Sequence, residues 1–135
     1  MVERLEELNH IGIAVRDLEE GKKLFCEILG FELKAEKALP DRGVRVAFLE
    51  TGNASIELLE GIGAESAVTK FLERHGPGIH HLCFRVGDID RVLGELAGAG
   101  LNLIDMKARP GAEGHPVAFI HPKSTSGVLI ELEEC

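Results

Sequence analysis

Tryptophan and tyrosine are absent from this 135-residue chain, which leaves six phenylalanines to supply its large aromatic surface and makes it nearly invisible at 280 nm. Cysteine is scarce as well. Cys26, Cys83 and Cys135 are an odd number without Cys-x-x-Cys spacing, which argues against a disulfide framework or a structural zinc knuckle and fits a reducing compartment. No apolar run approaches the roughly 18 residues that a membrane-spanning helix requires. Basic clusters are missing too: 15 Lys and Arg stand against 23 Asp and Glu, a net charge of -8. Nucleic acid and anionic membrane surfaces need clustered cations, so neither is an expected partner. An anionic small molecule would need local groups or a bound cation to hold it against the overall field. The charged opening from Met1 to Glu7 is unlike a signal peptide and predicts a cytoplasmic protein.

What the chain does have is a repeat. Gly78-Ile-His-His-Leu-Cys-Phe-Arg-Val86 resembles Asn9-His-Ile-Gly-Ile-Ala-Val15, and with His81 set on His10 both read His-Φ-x-Φ-x-Val. Successive strand residues point to opposite faces. Each His therefore shares a face with small or polar neighbours, Gly12 and Ala14 or Cys83 and Arg85. The other face carries Ile11, Ile13 and Val15 or Leu82, Phe84 and Val86, and calls for a packed helix.

In chain order, Asp17 predicts an N-cap with Glu20 at the capping-box position. Leu18, Leu24, Phe25, Ile28 and Leu29 recur at helical spacing up to Gly30. Strands follow over residues 30–37, 44–50 and 55–60, separated by turns at Pro40–Gly43 and Thr51–Ala54. Residues 63–77 read as a linker with a short helix capped by Ser66. The second half then repeats the first: a strand to Val86, a helix capped by Asp88, and strands over Leu101–Lys107, Pro116–His121 and Gly127–Glu133. The expected organisation is one domain over 1–135, with a first βαβββ module at 5–62 and a second at 78–135. Two such modules, each too small to cover its own sheet, are expected to pair into one curved mixed sheet of the α+β class.

The repeat extends to chemistry. Val46-Ala-Phe48 up to Glu57 matches Val117-Ala-Phe119 up to Glu131, so Glu57 and Glu131 are counterparts 74 residues apart, as His10 and His81 are counterparts 71 apart. Two imidazoles and two carboxylates in twin positions suit a divalent metal. Parity supports both glutamates, because Ile56 and Leu58, or Ile130 and Leu132, form the opposite, apolar face. His80 falls on the helix side and reads as structural. His115 and His121 lie in or beside loops, Pro110–Pro116 reads equally as a lid or a plain turn, and the acidic end beyond Glu131 reads as solvated.

The segments His10–Val15, Gly43–Phe48, Ile56–Glu60, Gly76–Leu82, Phe119–Lys123 and Gly127–Leu132 together resemble the vicinal oxygen chelate (glyoxalase/bleomycin resistance) superfamily. The Gly-Pro-Gly-Ile-His-His and His-Pro-Lys signatures are similar to those of its methylmalonyl-CoA epimerase family. That resemblance implies a glyoxalase-like fold, an acyl-CoA substrate and a homodimer. It also implies a divalent ion held by His10, Glu57, His81 and Glu131, with Co2+ foremost and Mn2+, Zn2+ or Ni2+ as alternatives. It further implies epimerisation by proton transfer at the α-carbon through an enolate, with Glu131 and Glu57 as the catalytic bases. Some epimerases place a base where this chain has Val46, which shifts the expectation to Glu57. Arg85, Arg109 and Lys123 are candidates to hold the CoA moiety. A glyoxalase I-type lactoylglutathione lyase, a non-catalytic binding protein and a metal-dependent dioxygenase are the alternatives on the same scaffold.

Overall fold

A computed structural model of the chain describes residues 5–135; the first four residues of the charged opening lie outside them. The described elements are β1 (Leu8–Ala14), α1 (Leu18–Lys22), β2 (Glu32–Leu39), β3 (Val44–Glu50), β4 (Ser55–Gly61) and α2 (Ala67–His75). They continue with β5 (Gly78–Val86), α3 (Ile89–Gly98), β6 (Arg109–Pro110), β7 (Pro116–Ile120) and β8 (Ile130–Glu134). Two compact units emerge: His10–His80, and His81–Cys135 together with the described residues before His10.

In the first unit the strand order is β2-β3-β4-β1, with β1 and β4 parallel and the other pairs antiparallel. The apolar face expected of β1 is formed. Ile13 and Val15 pack with Leu18, Ala47, Leu49 and Leu58, the last four wholly buried. Asp17 starts α1 by accepting from the Glu20 backbone N–H at 3.1 Å, and Glu19 and Glu20 place negative charge at the positive end of the helix. One regular helix up to Gly30 was expected. Instead Lys23–Ile28 forms a π-helical turn, with the Leu29 N–H donating to the Leu24 carbonyl at 2.9 Å. The extra residue keeps Phe25 and Phe31 on the core, their rings 6.4 Å apart, while Leu24, Ile28 and Leu29 rotate outward into solvent. Helix α2 falls inside 63–77 and belongs to this unit. Ser66 caps it by accepting from Val68 and Thr69. Its close seat on β4 requires glycine at 61, where a Cβ would lie 2.1 Å from Thr69 Oγ1.

In the second unit the order is β5-β8-β7-β6, with β5 and β8 parallel. Helix α3 lays Ile89, Val92, Leu93 and Leu96 on Val86, Ala118, Ile120 and Leu132. Burial on this scale contributes about 1.5–3 kcal/mol per large side chain. Asp88 caps α3 through the Arg91 N–H. The expected strand over Leu101–Lys107 does not form. Leu103 makes a single bridge to Ile120, and the Asp105 side chain then accepts the Phe119 N–H at 2.9 Å. A continuing strand would need that donor, so the ladder resumes only at Arg109. The last strand begins at Ile130 rather than Gly127, because Pro122–Ser124 makes a helical turn and Ser126 and Gly127 adopt positive φ. The acidic end is not a solvated tail either. Glu133 is buried, and Glu134 accepts the Ile89 N–H at 2.9 Å, giving the start of α3 a second anion. Among the described residues no helix is long and apolar enough to cross a membrane.

Candidate metal centre

Each unit buries one histidine against one glutamate. In the first, His10 on β1 and Glu57 on β4 are 3% and 7% exposed, with Nδ1 and Oε2 3.1 Å apart. In the second, His81 on β5 and Glu131 on β8 are 5% and 8% exposed, with Nε2 and Oε1 3.1 Å apart. The strands explain both placements. Gly12 sits beside Glu57 and Cys83 beside Glu131 on the two parallel pairs, while Phe48 and Phe119 lie opposite those glutamates on the antiparallel neighbours. A buried carboxylate is costly without a cation or several donors. The donor set fits a divalent ion: ligands at right angles on bonds of about 2.1 Å stand roughly 3 Å apart, and each pair shows that separation. The same contact is a hydrogen bond when the facing imidazole nitrogen carries a proton.

The correspondence runs beyond the pairs. Lys37, Val46 and Leu59 form one cross-strand row in the first unit, and Arg109, Val117 and Glu133 form the equivalent row in the second. Directly opposite residues share a face, so these rows lie on the same faces as Glu57 and Glu131. In both units the cation stands over the phenyl ring: Lys37 Nζ is 5.8 Å from the Phe48 centroid and the Arg109 guanidinium carbon 5.6 Å from that of Phe119.

Other candidates are placed elsewhere. His80 packs edge-on against Phe71 at 4.9 Å and is part of the α2 contact. His115 is exposed, and His121 caps a helical turn by accepting the Lys123 N–H. Residues 110–116 form a tight hydrogen-bonded hairpin, with the Gly111 N–H on the His115 carbonyl and the Gly114 N–H on that of Gly111. Arg85 is paired with Glu7, and its contact with Cys135 raises its already high pKa. Glu133 is a buried group that sequence pattern had assigned to solvent. Its carboxylate lies 3.7 Å from Cys83 Sγ, and its two-residue spacing from Glu131 was the available signal.

Residues 9–119 match the glyoxalase/bleomycin resistance protein/dioxygenase superfamily. The chain belongs to this superfamily. Its glyoxalase-like fold is shared with a methylmalonyl-CoA epimerase from Mycobacterium tuberculosis, at a TM-score of 0.91 and 38% identity, covering 99% of this chain and 92% of that one. A methylmalonyl-CoA epimerase solved in complex with methylmalonyl-CoA and NH4+ gives a TM-score of 0.90 at 33% identity, over 97% of this chain and 95% of the other. The ethylmalonyl-CoA/methylmalonyl-CoA epimerase of Cereibacter sphaeroides is 42% identical across 94% of this chain and 96% of its own length. Metal dependence is a feature of this superfamily, and the buried His and Glu side chains offer candidate ligands.

Proposed function

We propose that this chain is an epimerase that interconverts (R)- and (S)-methylmalonyl-CoA by removing and returning the α-proton through an enolate. It is an isomerase. The observation that carries the assignment is the pair of buried His–Glu units at equivalent repeat positions, in a chain whose relatives over nearly its full length include methylmalonyl-CoA epimerases.

Epimerisation requires a base on one face of the α-carbon and an acid on the other. Glu57 and Glu131 are those two groups, alternating in role, each contributing about 10² to 10⁴-fold. Burial supports this role, because few waters compete for the transferred proton. Val46, the position where some family members carry a carboxylate, is apolar and 1% exposed here, leaving Glu57 as the carboxylate of the first pair. His10 and His81 orient the carboxylates through their 3.1 Å contacts. His10, Glu57, His81 and Glu131 together would hold one divalent ion, Co2+ foremost with Mn2+, Zn2+ or Ni2+ as alternatives. Such an ion supplies Lewis-acid stabilisation of the charge that develops on the thioester oxygen. The two units work as one domain over 1–135, in a cytoplasmic homodimer.

Proton NMR of the protein with methylmalonyl-CoA in D2O, before and after chelator treatment, tests the assignment. Metal-dependent loss of the α-proton signal is expected, with a coupled mutase assay reporting the stereochemical course. Absence of exchange with Co2+, Mn2+ and Zn2+ each restored would overturn it.

A further inference from the structure

We infer that Arg109 is a substrate-anion-binding residue, whose guanidinium over Phe119 receives an anionic oxygen pair of the acyl-CoA ester. The inference rests on the epimerase assignment and names the residue that draws a negatively charged substrate onto an acidic protein.

Three observations within the second unit support it. First, one phenyl ring links the cation to the reacting face: the His81 ring meets Phe119 edge-on at 5.8 Å, and the Arg109 guanidinium lies 5.6 Å from the same centroid. Phe119 is also directly opposite Glu131 in the ladder. Second, the guanidinium is held without being consumed. Its Nε donates to Asp105 Oδ1 at 3.1 Å, and the other Asp105 oxygen accepts the Phe119 N–H. Among the described residues, the two terminal nitrogens of Arg109 make no hydrogen bond, and its side chain is 47% exposed. A guanidinium anchored by Nε keeps a pair of parallel donors suited to a carboxylate or a phosphate. Third, the first unit repeats the motif, with Lys37 over Phe48 opposite Glu57. The Asp105 brace adds a charge-assisted hydrogen bond to the cation–ring contact, so the guanidinium is held from two sides. Arg85, by contrast, already pairs with Glu7 and contacts Cys135, and Lys123 sits at an exposed helical turn.

The ester has two sources of such an anion, the malonyl carboxylate and the phosphates of CoA. Steady-state kinetics of the full-length, Co2+-loaded Arg109→Gln protein should show KM for methylmalonyl-CoA raised about 10 to 100-fold, with kcat within a few fold of wild type. Arg109→Lys, which keeps charge but loses the fork, should fall between. Retention of the KM defect with methylmalonyl-pantetheine, which has no phosphate, assigns the contact to the carboxylate; its disappearance assigns it to CoA. Calorimetric titration with methylmalonyl-CoA should show the same weakening without relying on turnover, so a wild-type chain that bound but failed to turn over would count against the epimerase assignment alone. Unchanged KM and affinity in Arg109→Gln at wild-type Tm overturn the inference. A change confined to Tm does so too, since a brace for Phe119 would act there.

Discussion

The two units of this chain carry the same buried pair but finish their sheets differently. In the first, β2 is an eight-residue ladder partner for β3, and its edge is laced by Lys22, Glu36, Arg45 and Glu60. In the second, the equivalent edge is the two residues of β6, with Asp105 substituting a side chain for the missing backbone acceptor. The polar layer behind the pairs is also unequal: Gly12, Ala14 and Leu59 in the first unit are Cys83, Arg85 and Glu133 in the second. Even the pairs differ in detail, since His10 meets its glutamate through Nδ1 and His81 through Nε2. The residues beside the two pairs thus keep equivalent register in both units, while the rims differ. Both rims set a cation over the phenyl ring, but the regular one is laced by ion pairs across its strands and the irregular one braces its cation with Asp105.

The sharpest way to break the equivalence is at the glutamates. Glu57→Gln and Glu131→Gln should each lower epimerisation by about 10² to 10⁴-fold while retaining bound metal by elemental analysis. Equal losses mean symmetric roles, and wild-type turnover in Glu57→Gln would move one base elsewhere. Next come the cores. Leu58→Ala and Leu132→Ala remove wholly buried side chains from the respective clusters, and each should cost about 2–5 kcal/mol in urea unfolding. A large inequality would show that one unit holds more of the cooperative stability.

Helix starts should separate the units at smaller scale. Asp17→Ala should cost about 1 kcal/mol. Asp88→Ala should cost less, because Glu134 still accepts the Ile89 N–H; the double change Asp88→Ala with Glu134→Gln should expose the difference. Smallest is the acid dependence of the first rim. Lys22 beside it, supported by Arg45, holds the Glu36 carboxyl below its usual range. A lowered folded-state pKa means that its contribution is complete above the ordinary carboxylate range and is lost as pH falls through the folded value. For an ion pair this near solvent the loss is within about 1 kcal/mol and shrinks in salt. The wild-type and Glu36→Gln unfolding midpoints should therefore converge at low pH.

Much of this was legible in the sequence because it follows from period and capping chemistry. The strand alternation around His10 and His81, the caps at Asp17, Ser66 and Asp88, and the Val-Ala-Phe repeat located the elements and the two pairs. Side chains that replace backbone partners were not legible. Asp105 ends a run that Leu101, Leu103 and Ile104 advertise as a strand, and only its contact with Phe119 reveals why. The π turn was hidden because Leu24, Phe25, Ile28 and Leu29 satisfy the ordinary helical pattern while three of them point away from the core. Glu133 was misread because neighbouring acids suggest solvent, although parity with Glu131 placed it inside. The phenyl-bound cations depend on register between β2 and β3 and between β6 and β7, which no local pattern specifies.

The π turn in the first helix also bears on how this family can change length. Within Lys23–Ile28 one surplus residue is absorbed by a widened turn of backbone, closed by the Leu29 N–H on the Leu24 carbonyl. Removing a single residue there would convert the turn to ordinary helix and swing Leu24 and Ile28 by about a quarter turn, with a rise of only about 1.5 Å to be made up. Related chains that are one residue shorter at this point are therefore expected to keep the fold intact, and an alignment gap in this helix would record an insertion tolerated rather than an element lost.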